Sequence, residues 1–265
     1  MGGDDANHFA KCIGAGVAEA FKTCRFFLGV ETEAFENADI HPEYVTTVEV
    51  AKQLTGVDRY VSLETHMKDL RVEAGKLARM RNLRNRQAWS KIANVLEQYR
   101  FGKKDSFRVD IVVRPSAGDQ PPLLLAEAKL GVGNVAGIIK DIDRVIRLLM
   151  MYQQLELLNE NPVYGAVLFH SAKQGGEDDA AALAAQKLLA TVDSYLSSLK
   201  AKHPWLHAKT GLLSAEANHQ PVQGYWEQYG ENEGDGEMVF AKTSFTFVPG
   251  LVLLSHRSDV DNVAF

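Results

Sequence analysis

The stretch RVDIVVRPSAGDQPPLLLAEAKL, from Arg108 to Leu130, constrains the fold of this chain more than any other. Two runs dominated by Val, Ile and Leu flank a loop rich in Pro, Gly and Asp, the pattern of two strands turned back on each other. Both runs are too apolar for a surface ribbon, so the hairpin belongs in a buried sheet. If it turns around Ala117 to Asp119, residues whose numbers sum to 237 face each other, and Asp110 stands opposite Glu127. A single bulge would shift that register.

Three ionisable residues interrupt the apolar pattern. Side chains two apart share a strand face, so Glu127 and Lys129 point one way while Ala126 and Ala128 point the other. Directly opposed, the Asp110 and Glu127 Cβ atoms stand roughly 5 Å apart, where two negative charges repel unless a proton or a cation sits between them. Paired carboxylates suit Mg²⁺ or Mn²⁺, and a lysine beside them can orient a water or balance charge on a phosphate. Glu-x-Lys alone is usually an ion pair at a strand edge. The apolar setting of Asp110 and Glu127 sets this instance apart, because a buried acid needs a partner or a metal.

The flanking sequence extends the pattern. Phe9 to Phe27 suits a helix, and His41 to Leu54 carries Pro42 where a first helical turn tolerates it. Arg59 to Leu63 reads as a short strand. Val135 to Asn159 is the clearest amphipathic helix, Val163 to His170 a buried strand, and Asp178 to Lys200 an Ala/Leu-rich helix. The last sixty or so residues show strand character mainly in MVFAKTSFTFVPGLVLLS. The expected class is α/β, a mixed central sheet flanked by helices. Residues 1–40 form a helical N-terminal segment, 41–172 a core carrying an insertion at 67–104, and 173–265 a C-terminal extension packed on that core.

Charge is uneven. The net formal charge is -5, yet Met67 to Lys104 holds eleven basic residues against three acids. Leu70, Leu77, Leu83, Ile92, Val95 and Leu96 anchor this segment as helix, and Gly75 and RNLRNRQ are its candidate breaks. Such a run is ordinarily a solvated helical face; the sharper reading is a surface for a polyanion, with Arg79, Arg81, Arg84 and Arg86 at its centre. Cys12 and Cys24, twelve residues apart in one helical segment, lie roughly 18 Å from each other and are expected as reduced thiols. MGGDDANHFAK lacks the basic flank and apolar run of a signal peptide, and no segment has the length of a membrane span, so a cytoplasmic protein is expected.

An Asp, a turn-containing separation and Glu-x-Lys on the next strand resemble the PD-(D/E)xK nuclease superfamily. HPEYVTTVEVAKQL, RVDIVV, LLLAEAKL, KDIDRVIRLL and VYGAVLFH follow in the order found in its uncharacterised bacterial members, over about residues 41 to 170. Val109 replaces the Pro of the name, and the basic insertion lengthens the gap before RVDIVV. The resemblance implies a restriction-endonuclease-like core. It also implies Asp110 and Glu127 as Mg²⁺ ligands (Mn²⁺ as substitute), with the carbonyl of Ala128 a further ligand and Lys129 positioning the attacking water. An acid from the first helix completes many such sites; Glu43 is the choice here, with Glu64 and Glu49 as competitors. For Glu43, an acid stabilising a helix N-terminus is the competing role.

The expected function is therefore Mg²⁺-dependent hydrolysis of nucleic-acid phosphodiesters, of DNA before RNA and endonucleolytic before exonucleolytic, with a homodimer compatible with cutting two strands. The alternative is a non-catalytic nucleic-acid-binding or assembly module that keeps the nuclease fold.

Overall fold

The structure is a computed structural model, and it describes residues 5–28, 42–101, 107–129, 135–159, 161–174, 179–213, 220–221, 225–228, 236–239 and 244–265. Helix α1 (Asp5–Leu28) and helix α2 (Pro42–Leu54) precede strand β1 (Arg59–His66). The basic segment forms helices α3 (Met67–Arg81) and α4 (Arg86–Gln98). Strands β2 (Arg108–Pro115) and β3 (Leu124–Lys129) lead into helix α5 (Val135–Gln154), strand β4 (Tyr164–Gln174) and helix α6 (Asp179–Lys202). The chain ends with β5 (His207–Leu212), β6 (Gln220–Pro221), β7 (Tyr225–Gln228), β8 (Gly236–Val239), β9 (Ser244–Ser255) and a 3-10 turn at Ser258–Asn262.

Six strands line up as β1-β2-β3-β4-β9-β5, with β6 joined to β9 off this path, while β7 and β8 form a separate pair. The β2/β3 hairpin is antiparallel with Ile111 opposite Ala126, Val112 opposite Leu125 and Val113 opposite Leu124, the register expected from the loop. Strands β3 and β4 are parallel, from Leu124 beside Tyr164 to Lys129 beside Phe169, which requires the crossover that α5 supplies. All other neighbours in the sheet are antiparallel, so the sheet is mixed.

Strict alternation sends successive residues to opposite layers. Leu124, Ala126, Ala166, Leu168, Leu251 and Leu253 pack with Phe9, Ile13 and Val17 of α1 and Val50 and Leu54 of α2. Leu125, Val167, Phe169, Val252 and Leu254 pack on the other face with residues of α3, α4, α5 and α6. Helices on both faces explain why these strands are apolar throughout. The boundary placed at 172/173 falls within β4, and the chain beyond it supplies β5 and β9 to the same sheet, with β9 directly beside β4.

The basic segment breaks once, at residues 82–85, where Asn85 caps α4 by accepting the Ala88 amide at 3.2 Å. Gly75 does not interrupt α3. It is buried where α4 crosses, and a Cβ there would lie 2.6 Å from Leu96 Cδ1. Among the described residues no helix is long and apolar enough to cross a membrane.

Candidate active site

The polar residues of the hairpin meet at the end of the sheet where β2 begins and β3 finishes. Asp110 Oδ2 accepts the backbone N–H of Ala128 at 2.7 Å, which pins the acid across the strand pair just beyond the last paired residues. Glu127 is 2% exposed, on the face it shares with Leu125, and the charge of Asp110 bears on its carboxyl. Its Oε1 is buried with no hydrogen-bond partner. A carboxylate oxygen left in that condition is costly unless it is protonated or acquires a ligand.

Burial raises both acids. The Asp110 carboxyl is pushed up to about 6, first by desolvation, with Glu64 and Glu43 adding negative charge and the Ala128 amide and Arg144 opposing the shift. Desolvation, followed by the charge of Asp110, holds Glu127 well above the usual carboxylate range. The charge of Asp110 disfavours ionisation of Glu127, so a proton or a cation between such acids is favoured.

Lys129 sits beside Glu127 at the end of β3, its stem packed near Gly137 in the first turn of α5. Its Nζ reaches 3.7 Å from Glu43 Oε2, so the lysine bridges from one helical layer to the other around the end of the sheet. Glu43 lies in the first turn of α2, and a 380 Å³ pocket there is lined by Glu43, Tyr44, Thr47, Glu64 and Asp110.

Of the three upstream acids, two reach the cluster. Glu43 pairs with Lys129, whereas Glu64 exerts the larger repulsion on Asp110. Glu49 pairs with Lys52 and does not line the pocket. Glu64 has φ 53°. The β1/β2 ladder runs from Arg59 opposite Pro115 to His66 opposite Arg108, and the one unpaired step is Glu64 opposite Asp110. At the same place β2 changes the sense of its alternation: Val109 joins the α3–α6 layer, while Ile111 and Val113 join the other. A left-handed Glu facing the break is local strain of about 1–3 kcal/mol, held where two acids converge.

Arg144 and Asp141 were not singled out as site residues from the sequence. Asp141 is 4% exposed on the otherwise apolar stripe of α5 and binds the Arg144 guanidinium. That guanidinium lies 3.6 Å from Glu127 Oε2 and over the Phe107 ring, 5.8 Å from its centroid. The available signal was an acid at a core position of an amphipathic helix, between Ile138 and Ile142, followed by an arginine one turn later.

The four arginines expected to hold a polyanion are not brought to this cluster. Arg79 and Arg81 end α3, Arg84 lies in the following turn and all three are exposed; Arg86 opens α4, with its side chain outside the described residues. Arg81 donates to the Glu156 carbonyl at 3.4 Å, beyond the C-terminus of α5. Arg144 and Gln154 are separated by roughly 15 Å of helix, so the two charged regions occupy opposite ends of α5.

Among the described residues no three His, Cys, Asp or Glu side chains form a metal cage. Mg²⁺ does not require one: it keeps several waters and is commonly held by one or two carboxylates together with substrate phosphate oxygens. Glu127, whose Oε1 has no hydrogen-bond partner, and Asp110 bring two carboxylates to one corner of the sheet. No family model matches the chain, and neither a curated protein nor a solved structure gives a match.

Proposed function

We propose that this chain is a Mg²⁺-dependent nuclease of the PD-(D/E)xK type, with a restriction-endonuclease-like core, hydrolysing nucleic-acid phosphodiesters and DNA in the first instance. The observation that carries the reading is the convergence of Asp110, tied to the Ala128 amide, with Glu127 at the end of a buried hairpin, Glu127 Oε1 lacking a protein partner and Lys129 next on the same strand face. Helix α2 before β1, the β2/β3 hairpin and the α5 crossover to parallel β4 support the same assignment.

Asp110 and Glu127 would hold the cation, whose chemistry is to polarise the phosphate and acidify a water. Ala128 fixes Asp110 through its amide, which keeps one carboxylate oxygen oriented before any ligand arrives. Burial holds Glu127 well above the usual carboxylate range, so a cation held there would compete with a proton and its affinity would rise with pH. Lys129 would hold the attacking water and balance charge developing on the phosphate, with Glu43 Oε2 3.7 Å from its ammonium. The Arg144 guanidinium, tied to Asp141, partly offsets the cluster's negative charge.

A second reading, a non-catalytic nucleic-acid-binding module, draws on that same Arg144, which compensates Glu127 without any metal. Incubation of the protein with supercoiled, linear and single-stranded DNA and with RNA, in Mg²⁺, Mn²⁺ or EDTA, separates the two. Cleavage with a divalent ion, abolished by EDTA and by Asp110→Asn or Lys129→Ala, is expected. Binding without cleavage in every metal leaves the non-catalytic reading.

A further inference from the structure

The turn between α3 and α4 carries features that a plain cationic face does not need. From Ala74 to Leu96 the sequence contains no acid, and five basic residues fall between Arg79 and Lys91. Among them three large apolar side chains stand in solvent: Met80 is 49% exposed, Leu83 68% and Trp89 42%. Burial normally claims a tryptophan; here its Nε1 donates to the Asn82 carbonyl at 3.2 Å, which holds the indole in place at the surface.

A pocket of 330 Å³ opens beside this turn, lined among others by Asn82, Asn85, Gln87, Lys91, Gln154 and Glu156. Its polar lining is rich in amides. Asn82 Nδ2 donates to the Ala78 carbonyl at 2.9 Å and Asn85 Oδ1 accepts the Ala88 amide, so each is anchored by one polar atom and keeps a second for a ligand. Lys91 binds Glu156 Oε1 at 3.0 Å, and Arg81 binds the Glu156 carbonyl, which fastens the turn to the end of α5.

We propose that this turn is a binding site for an unpaired nucleobase of a single-stranded nucleic acid. Amide side chains present a donor and an acceptor together, the pattern that matches base edges. An exposed, fixed aromatic ring offers a stacking platform, and Arg79, Arg81 and Arg84 supply cations for the adjoining phosphates. A duplex satisfies its Watson–Crick edges by pairing and stacks its base faces internally, so it presents neither to the pocket. The site lies roughly 15 Å along α5 from Arg144. The inference rests on the turn alone and does not require cleavage.

The test uses the full chain carrying Asp110→Asn, in EDTA, so that turnover plays no part. Trp fluorescence and anisotropy are followed on adding oligo-dT, oligo-U, a matched DNA duplex, or vesicles of phosphatidylglycerol, with a Trp89→Ala variant to identify the indole that responds. Single-stranded oligonucleotides are expected to quench Trp89 and to bind at least tenfold more tightly than the duplex, and Trp89→Ala to weaken them roughly tenfold. Arg84→Glu, an exposed change in the turn, is expected to weaken them too, and it stands in should Trp89→Ala fail to fold. Equal affinity for duplex and single strand, binding indifferent to both substitutions, or binding to vesicles without oligonucleotides overturns the proposal. A chain that binds single strands through Trp89 and never cleaves keeps this inference and loses the nuclease reading; one that cleaves with Trp89→Ala at undiminished affinity does the reverse.

Discussion

The Arg144 guanidinium stands 3.6 Å from Glu127 Oε2, bringing one positive charge from α5 onto a β3 carboxylate that is almost wholly buried. Asp141, one turn earlier on the same helix, binds the same guanidinium. Removing one partner of a buried ion pair ordinarily costs about 3–5 kcal/mol, but Glu127 escapes part of that by taking up a proton. Arg144→Met is therefore expected to destabilise the fold by about 1–3 kcal/mol at pH 8 and by less at pH 5. Glu127→Gln in the Arg144→Met background should recover most of the loss, as read by urea denaturation in a double-mutant cycle. Strict additivity of the two changes would show that the pair is not coupled.

Stability should also depend on pH through Asp110. Its carboxyl is raised from 3.8 to about 6, so the folded state binds the proton more tightly than the unfolded chain. The contribution is fully present below about pH 4 and is lost as the pH rises through 6. Asp110→Asn removes that loss and can still accept the Ala128 amide. It is expected to stabilise the protein by about 1–3 kcal/mol at pH 7 and to have little effect at pH 3.5. A destabilised Asn variant at pH 7 would contradict the raised carboxyl.

Lys129 offers a cleaner separation of fold from chemistry. Its contact with Glu43 is 3.7 Å long between side chains that are 44% and 39% exposed, and such pairs contribute about 0–1 kcal/mol. Lys129→Ala should leave thermal unfolding within that range while lowering any phosphodiester cleavage by roughly 100-fold or more. Full activity in a well-folded Lys129→Ala protein would remove this residue from the proposed mechanism.

The helix that carries Glu43 is held by a backbone contact. A Cβ on Gly16 of α1 would lie 2.4 Å from the Val50 Cα of α2, and backbone cannot move aside as a side-chain tip can. Gly16→Ala gains about 1 kcal/mol of helix propensity and is still expected to cost about 2–3 kcal/mol net through overpacking. Differential scanning calorimetry reads the loss directly. An unchanged melting temperature would mean that α1 and α2 separate without penalty.

Much of the central architecture was legible before any coordinates. The β2/β3 register followed from the length of one short loop and the two-residue strand period, both local properties. The α2 start at Pro42 and the stripe of α5 were likewise written in adjacent residues. Gly75 was misjudged as a candidate break because a glycine's sequence position does not reveal a helix crossing over it.

The sequence by itself determined that Asp110, Glu127 and Lys129 lie at one end of a buried hairpin, because turn length sets which residues of the two strands come level. Tertiary structure alone decided what surrounds them. Glu64 meets Asp110 only when β1 pairs with β2, and Arg144 meets Glu127 only when α5 docks on the sheet. It also separated the arginine turn from the carboxylates, since α3 and α4 fasten to the far end of α5. Such meetings depend on which apolar faces pack together across long stretches of chain, and the raised carboxyls of Asp110 and Glu127 depend on the burial that this packing produces.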